Sequence, residues 1–266
     1  MCGRFTLTSP TDELAGYFNV LVKTRLSPRY NIAPTQPVAC VRRATPSSTE
    51  PTTPATATRE LVALRWGLIP YWAKDPAIGT RMINARAESV ADKPAYREAF
   101  RKRRCLVVAD GFYEWKRLQG SKQPYFIFME DRRPFAFAGL WERWKPREGQ
   151  LDKIIGPTRP EVPMSADGCV ESCSFLTTVP NELMETIHDR MPVIVPPEHW
   201  DTWLDPDLDD PEALEELLLP YPADKMRAYP VSTHVNKPGN DDPACVEPLK
   251  KLKIVRPELP KQDSLF

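Results

Sequence analysis

The residue with the most reactive chemistry in this chain is Cys2, which directly follows Met1. A small residue at position two allows the initiator methionine to be removed, and Cys2 would then carry a free α-amine and a thiol. The reference pKa values of these groups are about 8 and about 8.5, so their nucleophilic forms are accessible near neutral pH. Such an aminothiol reacts with aldehydes, because the amine forms an imine and the thiolate then closes onto the imine carbon to give a thiazolidine. The alternative is that Cys2 is an ordinary residue of a frayed terminus.

Six short segments, of which Cys2 and its neighbours form the first, combine polar and aromatic residues in a way that packing does not require. Taken singly, each segment is compatible with a turn or a strand end, and a lone histidine such as His188 is more often structural than catalytic. Their occurrence together, in this order after a cysteine at position two, is a more specific signal than any one segment alone. The segments are residues 2–5, 29–35, 65–72, 83–88, 109–115 and 187–192.

Length and charge limit the class of protein that must position these residues. The chain has 266 residues, which suits one large domain, and its 36 Lys and Arg residues balance 36 Asp and Glu residues. Because the formal net charge is zero, any nucleic-acid site must be a local basic patch. No apolar run resembles a signal peptide or a membrane span, so we expect a cytoplasmic protein, and we expect it to be a monomer.

The six cysteines do not indicate a disulfide framework, because they are few for this length in a compartment that keeps thiols reduced. Cys169 and Cys173 are close enough in sequence to be considered as metal ligands. No second Cys or His pair lies near them, however, so we expect neither a metal site nor a cofactor.

The secondary-structure pattern favours many short elements, since 30 prolines stand against 11 glycines. The strand-like and helical runs together predict an α+β fold, a single domain with a curved, barrel-like, mostly antiparallel β-sheet and peripheral helices. Apolar strand-like runs occur at residues 38–43, 60–70, 104–116, 123–130, 135–144 and 174–179. Helical periodicity occurs at residues 11–18, 95–103, 198–204 and 211–219.

Two stretches of the predicted domain are typical of inserted flexible loops. Residues 44–59 are rich in Thr, Pro, Ala and Ser, and residues 145–172 carry charges and prolines with little periodicity. We assign residues 2–240 to one catalytic and DNA-binding domain and residues 241–266 to a C-terminal extension.

Taken in order, the segments closely resemble those of the SOS response-associated peptidase family, over roughly residues 2–240. Members of that family shield abasic sites in single-stranded DNA by a covalent crosslink through an N-terminal cysteine, the place that Cys2 takes here. The resemblance implies that Glu114 and His188 move protons during opening of the sugar ring and crosslink formation. It also implies that Asn84 hydrogen-bonds the crosslink, a role that suits an amide because it donates and accepts without a change of charge.

The same resemblance implies a set of DNA contacts. Arginines inside the segments suit phosphate, and aromatic or proline side chains suit stacking on exposed bases. Trp66 and Phe112 are instead expected in the core. Where relatives can carry a Trp pair this chain has Tyr71 and Trp72, so stacking at position 71 is expected to differ. The predicted DNA-binding residues are Arg4, Pro34, Tyr71, Trp72, Arg86, Trp115 and Arg190.

The last residues of the chain carry a second signal. Gln262, Ser264, Leu265 and Phe266 resemble the short peptide with which bacterial replication and repair proteins dock on the β sliding clamp. A flexible segment with two apolar anchors and one amide suits such a groove, whereas the alternative is an ordinary frayed end.

These observations favour a protein that captures the aldehyde of abasic sites in single-stranded DNA as a thiazolidine on Cys2, and that associates with the nucleoid when it is bound to DNA. Strand cleavage by a lyase reaction is expected wherever β-elimination competes with ring closure. One alternative is a cysteine peptidase with Cys2 as nucleophile and His188 as base, in its minimal form acting only on Met1. Another alternative is non-covalent binding to single-stranded DNA.

Overall fold

Short strands dominate the part of the chain that the computed structural model describes, which comprises residues 2–25, 27–44, 59–155 and 162–249. The strands are β1 (Phe5–Leu7), β2 (Leu21–Val22), β3 (Arg29–Ile32), β4 (Pro37–Arg43), β5 (Arg59–Trp66), β6 (Asn84–Arg86), β7 (Arg104–Ala109), β8 (Gly111–Leu118), β9 (Ser121–Met129), β10 (Phe135–Trp144), β11 (Val170–Thr178), β12 (Met191–Pro192) and β13 (Met226–Pro230). The α-helices are α1 (Thr11–Phe18), α2 (Arg97–Lys102), α3 (Asp152–Ile155), α4 (Glu182–Glu185), α5 (Trp200–Leu204) and α6 (Pro211–Glu215).

Five of these strands close into a barrel. Strands β5, β4, β7, β10 and β11 pair in that order, and every one of these pairs is antiparallel. The ring is completed by a parallel pair between β11 and β5, in which Ser172 lies opposite Arg65 and Cys173 opposite Trp66. The prediction of an α+β fold with a barrel-like, mostly antiparallel sheet is therefore confirmed.

A second sheet of five strands, in the order β13, β9, β8, β1 and β3, packs against the barrel. Its strand β1 lies between β3 and β8, with Phe5 opposite Ile32 on one side and Phe112 on the other. Because β1 is hydrogen-bonded along both edges, the residues that immediately precede it are held in place.

The aromatic core joins the two sheets at this point. Phe5 of β1 contacts Trp66, Phe137 and Phe175 of the barrel, with ring centroids 5.2, 5.8 and 6.3 Å away. All four side chains are completely buried, and Phe112 is buried beside them, which confirms that Trp66 and Phe112 belong to the core. Burying an aromatic ring contributes about 1.5–3 kcal/mol, so Phe5 is a strong anchor for the start of the chain.

The structure corrects the edges of several predicted elements. The apolar run 104–116 forms two strands of different sheets, because the chain turns at Asp110, whose carboxylate accepts hydrogen bonds from Thr8 and Ser9. Arg59 belongs to β5, and β11 already begins at Val170, so the predicted insertions 44–59 and 145–172 each include strand residues. Residues 45–58 and 156–161 lie outside the described residues.

The first residues of the predicted C-terminal extension pack against the domain. The carboxylate of Asp241 accepts hydrogen bonds from the backbone N–H groups of Tyr30 and Asn31, at 2.6 and 2.8 Å, and pairs with Arg29. Cys245 is completely buried. Residues 241–249 thus form part of the same structural unit as β3, whereas the predicted clamp peptide with Gln262, Leu265 and Phe266 lies outside the described residues.

Candidate active site around Cys2

Cys2 is completely buried, so it does not behave as a residue of a frayed end. Its position follows from the anchoring of β1, because Tyr113 donates its backbone N–H to Arg4 O at 3.0 Å and Phe5 fills the core. The Cys2 thiol donates to the same Arg4 carbonyl, with Sγ 3.5 Å from the oxygen. Burial, and then the nearby charge of Glu114, raises the pKa of this thiol well above its usual range. The thiol is therefore protonated at neutral pH and needs a base before it can attack.

Asn84 is the direct partner of Cys2. It lies in β6, which pairs in parallel with β11 so that Asn84 is opposite Phe175. Its side-chain Nδ2 donates to Cys2 O at 2.7 Å, and Tyr96 holds the Asn84 carbonyl from the other side at 3.3 Å. The Asn84 Oδ1 atom is buried and has no hydrogen-bond partner among the described residues. A buried acceptor without a donor costs about 1–3 kcal/mol, so this oxygen is suited to meet a donor on a bound ligand.

Glu114 supplies a carboxyl group with an unusual pKa. It follows Tyr113 in β8 and is 2% exposed. Burial raises the pKa of Glu114 to about 7. Near neutral pH the group is therefore present in both protonation states, which is the condition for a side chain that both gives and takes protons.

His188 stands next to Glu114, with its Nε2 atom 3.8 Å from Glu114 Oε2. Its Nδ1 atom lies 3.1 Å from the backbone N–H of Arg190 and 3.0 Å from the Asp189 carboxylate. The first contact suits a neutral ring whose Nδ1 accepts, and the second suits a protonated ring. Burial lowers the pKa of His188, which favours the neutral ring with its Nε2–H directed towards Glu114. The structure thus brings Cys2, Asn84, Glu114 and His188 together at one place.

Two of the predicted phosphate-binding arginines are occupied by contacts within the protein. Arg4 donates to Asn31 Oδ1 at 2.9 Å, to Val235 O at 3.0 Å and to Asn236 O at 3.4 Å. Because it crosslinks β1 to a distant turn, its first role is to fix the backbone that carries Cys2. Its guanidinium is half-buried, and burial lowers its pKa.

Arg190 forms a two-point ion pair with Glu88, with N–O distances of 2.5 and 2.9 Å, and it also donates to Thr177 O. The hydrogen bond from Arg190 lowers the pKa of Glu88. This pair ties the loop of His188 to the turn that follows β6 and Asn84. Of the three predicted phosphate-binding arginines, Arg86 is the one whose side chain is exposed.

The predicted stacking residues fall into two groups. Tyr71 and Trp72 are 61% and 48% exposed, on a turn closed by the hydrogen bond from Ala73 N to Pro70 O, and they are therefore available to bases. Trp115 and Pro34 are half-buried. The Trp115 ring is held by a hydrogen bond from Nε1 to Asn236 Oδ1 at 2.8 Å.

A groove of about 450 Å³ is lined by His188 and Trp115. Lys116 and Arg117 also line it, and sequence reasoning missed both, although they directly follow Trp115 in β8 and could have been found as a basic pair. Glu185 and Asp189 line the same groove, so it presents charges of both signs. A larger cavity of about 540 Å³, bordered by Lys23, lies elsewhere and contains none of the predicted site residues.

Asn31 is another residue whose importance sequence reasoning missed. Its Oδ1 accepts a hydrogen bond from Arg4. Its Nδ2 donates to Val235 O at 3.1 Å, to Lys237 O at 3.1 Å and to Asn240 O at 2.7 Å. These partners are far away in sequence, so no local pattern could have shown this function. Asn31 thereby joins the Cys2 strand to residues 235–240.

Metal ligands are not grouped around Cys2. Within the described ranges, one set of His, Cys, Asp and Glu side chains has the geometry to hold a metal ion, and it consists of His234, Asp242 and Cys245. All six cysteines are free thiols. In the same ranges no helix is both long and apolar enough to cross a membrane.

Comparison with known proteins agrees with this site. A family model described as SOS response associated peptidase (SRAP) matches residues 1–238. The abasic site processing protein YoqW of Bacillus subtilis (strain 168) is 43% identical over 251 residues, which cover 93% of this chain and 99% of YoqW. The abasic site processing protein HMCES of Xenopus tropicalis is 32% identical over 210 residues, which cover 71% of this chain and 57% of HMCES.

A crystal structure of a protein from Bacteroides thetaiotaomicron superimposes with a TM-score of 0.76 at 25% identity, covering 93% of this chain and all of that one. The residues that the family model matches include the barrel, the second sheet and the Cys2 site. The chain therefore belongs to the SOS response associated peptidase (SRAP) family.

Proposed function

We propose that this protein captures the aldehyde of an abasic site in single-stranded DNA as a covalent thiazolidine on Cys2, after Met1 has been removed. The observation that carries the proposal is the grouping, around one buried cysteine, of the unpartnered Asn84 oxygen and a Glu114 with a pKa of about 7. The names of the relatives support the same substrate, since proteins 43% and 32% identical are called abasic site processing proteins.

The reaction has three steps, each of which moves protons. The closed sugar of an abasic site opens to an aldehyde when a proton leaves its hydroxyl and another reaches the ring oxygen. The Cys2 amine then adds to the aldehyde carbon, and loss of water gives an imine. Finally the Cys2 sulfur forms a bond to the imine carbon while its proton is transferred to the nitrogen, which closes the ring with no oxidant or cofactor.

Glu114 is suited to each of these transfers. A carboxyl group whose pKa is about 7 takes a proton from a hydroxyl and returns it to a leaving oxygen at neutral pH. Its protonation also removes the negative charge that helps to raise the pKa of the Cys2 thiol. Proton uptake by Glu114 and activation of Cys2 are thereby coupled.

His188 and Asn84 complete the set. A neutral His188 with Nε2–H 3.8 Å from Glu114 is placed to exchange a proton with that carboxyl group or to stabilise its charge. Asn84 Nδ2 holds the Cys2 carbonyl, and its Oδ1 accepts a hydrogen bond from the amine or from the opened sugar. This assigns acid–base work to Glu114 and His188 and positioning to Asn84.

The exposed side chains near the site suggest how the strand is held. Lys116 and Arg117 line the groove with His188, and exposed Arg86 follows Asn84 in β6. Tyr71 and Trp72 offer aromatic faces on which bases stack, as single-stranded binding requires. Arg4 and Arg190 would contact phosphate only in addition to their contacts inside the protein.

The test is crosslinking to a single-stranded oligonucleotide with one abasic site, using protein with a free and with a chemically blocked α-amine. The proposal predicts a heat-stable adduct only with the free amine. It also predicts that Cys2→Ser gives a borohydride-trappable imine without the heat-stable product, and that Cys169→Ser, the matched control, behaves as wild type. A heat-stable adduct with the blocked amine would contradict the proposal.

A cysteine peptidase is the second candidate, because a thiol beside an imidazole and a carboxylate also suits acyl transfer. Such an enzyme works with a blocked amine, whereas thiazolidine formation does not. Its minimal form removes only Met1, and it predicts that Cys2→Ala and Glu114→Gln keep Met1 when expressed without methionine aminopeptidase. Complete processing of both variants under that condition would remove this candidate.

Two other activities make different predictions for variants of Cys2. The imine intermediate permits β-elimination and strand cleavage, which Cys2→Ser should increase because the thiol no longer traps the imine. Purely non-covalent binding to single-stranded DNA predicts instead that Cys2→Ala retains all of the activity.

We further propose that the tail peptide with Gln262, Leu265 and Phe266 docks on the β sliding clamp, since two apolar anchors and an amide suit that type of groove. The test is binding of the full-length protein to purified clamp. Loss of binding in the double variant Leu265→Ala and Phe266→Ala would support the proposal, and equal weak binding by both proteins would contradict it.

A further inference from the structure

The cluster of His234, Asp242 and Cys245 is separate from the residues assigned to the reaction of Cys2. One ligand atom from each side chain lies within 4.8 Å of the other two. His234 Nε2 is 3.0 Å from Asp242 Oδ2, and the Cys245 thiol is completely buried beneath them. The three residues stand on two short helical turns, Thr233–Asn236 and Pro243–Cys245.

The backbone fixes the positions of these ligands. Ser232 caps the first turn by accepting the backbone N–H of His234 at 3.2 Å. Asp242 caps the second turn with Oδ1, which accepts from Ala244 N at 2.9 Å and leaves Oδ2 for the cluster. Because hydrogen bonds from Ser232 and Asp242 already fix the two turns, the cluster needs little rearrangement to bind an ion.

The chemistry of the three side chains favours one class of ligand. A thiolate and an imidazole together select soft or borderline cations, and a carboxylate with them gives a mixed set that Zn²⁺ accepts in tetrahedral geometry. The same residue types also occur as nucleophile, base and orienting acid. A thiol that is completely buried cannot reach a substrate, however, whereas a metal ion approaches from the half-exposed side of His234 and the exposed side of Asp242.

We propose that His234, Asp242 and Cys245 bind one Zn²⁺ ion, with the fourth position of the tetrahedron left to solvent. Binding releases the thiol proton of Cys245 as a sulfur–zinc bond forms. The imidazole proton moves from Nε2 to Nδ1, which frees Nε2 to bind the ion. No redox step is involved.

An ion at this place would stiffen one wall of the Cys2 site. The turn that carries His234 also carries Val235 O and Asn236 O, which accept hydrogen bonds from Arg4, and Asn236 Oδ1, which holds the Trp115 ring. Zn²⁺ would join this turn to residues 242–245. The proposal rests on the cluster alone, so it stands or falls independently of the proposed function.

The test is titration of the full chain with Co²⁺, in a Cys2→Ala background because the aminothiol of Cys2 is itself a chelator. We expect one equivalent of Co²⁺ to give a thiolate-to-cobalt charge-transfer band and the visible absorption of a tetrahedral site. Cys245→Ser should abolish the charge-transfer band, and Cys169→Ser, the control, should keep it. Absence of the band in the Cys2→Ala protein, or its survival in Cys245→Ser, would overturn the proposal.

Asp242→Asn tests the site with less risk to folding, because the amide oxygen can still cap Ala244. We expect its Co²⁺ affinity to fall by about 10–100-fold, the range typical of weakened metal sites, with an unchanged circular dichroism spectrum. Zn²⁺ should raise the Tm of the Cys2→Ala protein above the Tm measured in the presence of a metal chelator. It should raise the Tm of Asp242→Asn much less. Equal Tm shifts in the two proteins would contradict the assignment. His199→Ala, at an exposed histidine, is the matched control.

Discussion

Two regions of this molecule bury carboxylates, and they use them differently. In the barrel, Arg42 donates to Glu60 at 2.7 Å and to Glu171 at 3.0 Å, and it packs 4.4 Å from the Trp141 ring centroid. Burial acts to lower the pKa of Arg42, but the two carboxylates outweigh it and raise that pKa. The guanidinium of Arg42 thus bridges the two carboxylates.

Around Cys2 the balance is different. Glu114 is as deeply buried, but here burial outweighs the charge of the amino terminus and the hydrogen bonds to the carboxylate, so its pKa rises to about 7. The Asn84 oxygen beside it has no donor among the described residues. The comparison teaches that a buried carboxylate exchanges protons near neutral pH where burial outweighs its favourable charge and hydrogen-bond partners.

Replacing Glu114 tests the comparison with the largest expected effect. Glu114→Gln keeps the shape of the side chain but cannot transfer protons, so crosslinking to abasic DNA should slow by about 10²–10⁴-fold. The measurement is the single-turnover rate of adduct formation. Glu60→Gln, at a buried glutamate paired with Arg42 in the barrel, should react at the wild-type rate per folded molecule. Equal rates for all three proteins would remove Glu114 from the mechanism.

Replacing Arg42 tests the other region. Arg42→Met leaves Glu60 and Glu171 buried without their partner, so the free energy of unfolding should fall by about 3–5 kcal/mol. Denaturant unfolding measures this loss. The crosslinking rate per folded molecule should not change. If Arg42→Met were as stable as wild type, or folded but slow to crosslink, the division of roles between the two regions would be wrong.

The pH dependence of stability distinguishes the two kinds of carboxylate. The pKa of Glu114 rises from its ordinary value of 4.5 to about 7 on folding, so the folded state binds the extra proton between these values. The free energy of unfolding of wild type relative to Glu114→Gln should therefore fall by up to about 3 kcal/mol as the pH rises from 4.5 to 7, and then stay constant. His188 titrates in both proteins and largely cancels. A flat difference across this range would show that Glu114 has an ordinary pKa.

The exposed aromatic residues give the smallest expected effect. Tyr71→Ala should weaken binding of single-stranded DNA by about 1–3 kcal/mol, the usual contribution of one stacked base, without changing the free energy of unfolding. Fluorescence anisotropy with an oligonucleotide lacking an abasic site measures this. Leu219→Ala, at a leucine 67% exposed and outside the groove, is the control. Unchanged affinity of Tyr71→Ala would place the strand elsewhere.

Much of the fold could be predicted, because strand and helix periodicity is local. The runs at 38–43 and 135–144 became β4 and β10 with nearly the predicted ends. The closure of the barrel could not be predicted, because the parallel pair of Ser172 with Arg65 joins residues that are far apart in sequence. The composition of residues 145–172 predicts a loop, but Val170, at the end of this charged stretch, begins a buried strand.

The candidate site could be predicted in its residue types but not in its contacts. The grouping of Cys2 and Glu114 agrees with the resemblance to the family, and the structure adds the distances. Arg4 and Arg190 suited phosphate by type, yet both are held by protein acceptors, which only the tertiary structure reveals. The cluster at His234 escaped notice because its ligands are not spaced as a recognisable metal motif.

The central claim, that Cys2 captures an aldehyde with its amine and thiol together, is tested most directly by intact-mass analysis. Purified protein is measured alone and after incubation with a single-stranded oligonucleotide that carries one abasic site. We expect loss of Met1, followed by a heat-stable adduct that maps to Cys2, corresponds to condensation with loss of one water, and is absent from Cys2→Ala. A processed terminus with no adduct, or an adduct that persists in Cys2→Ala, would contradict the account.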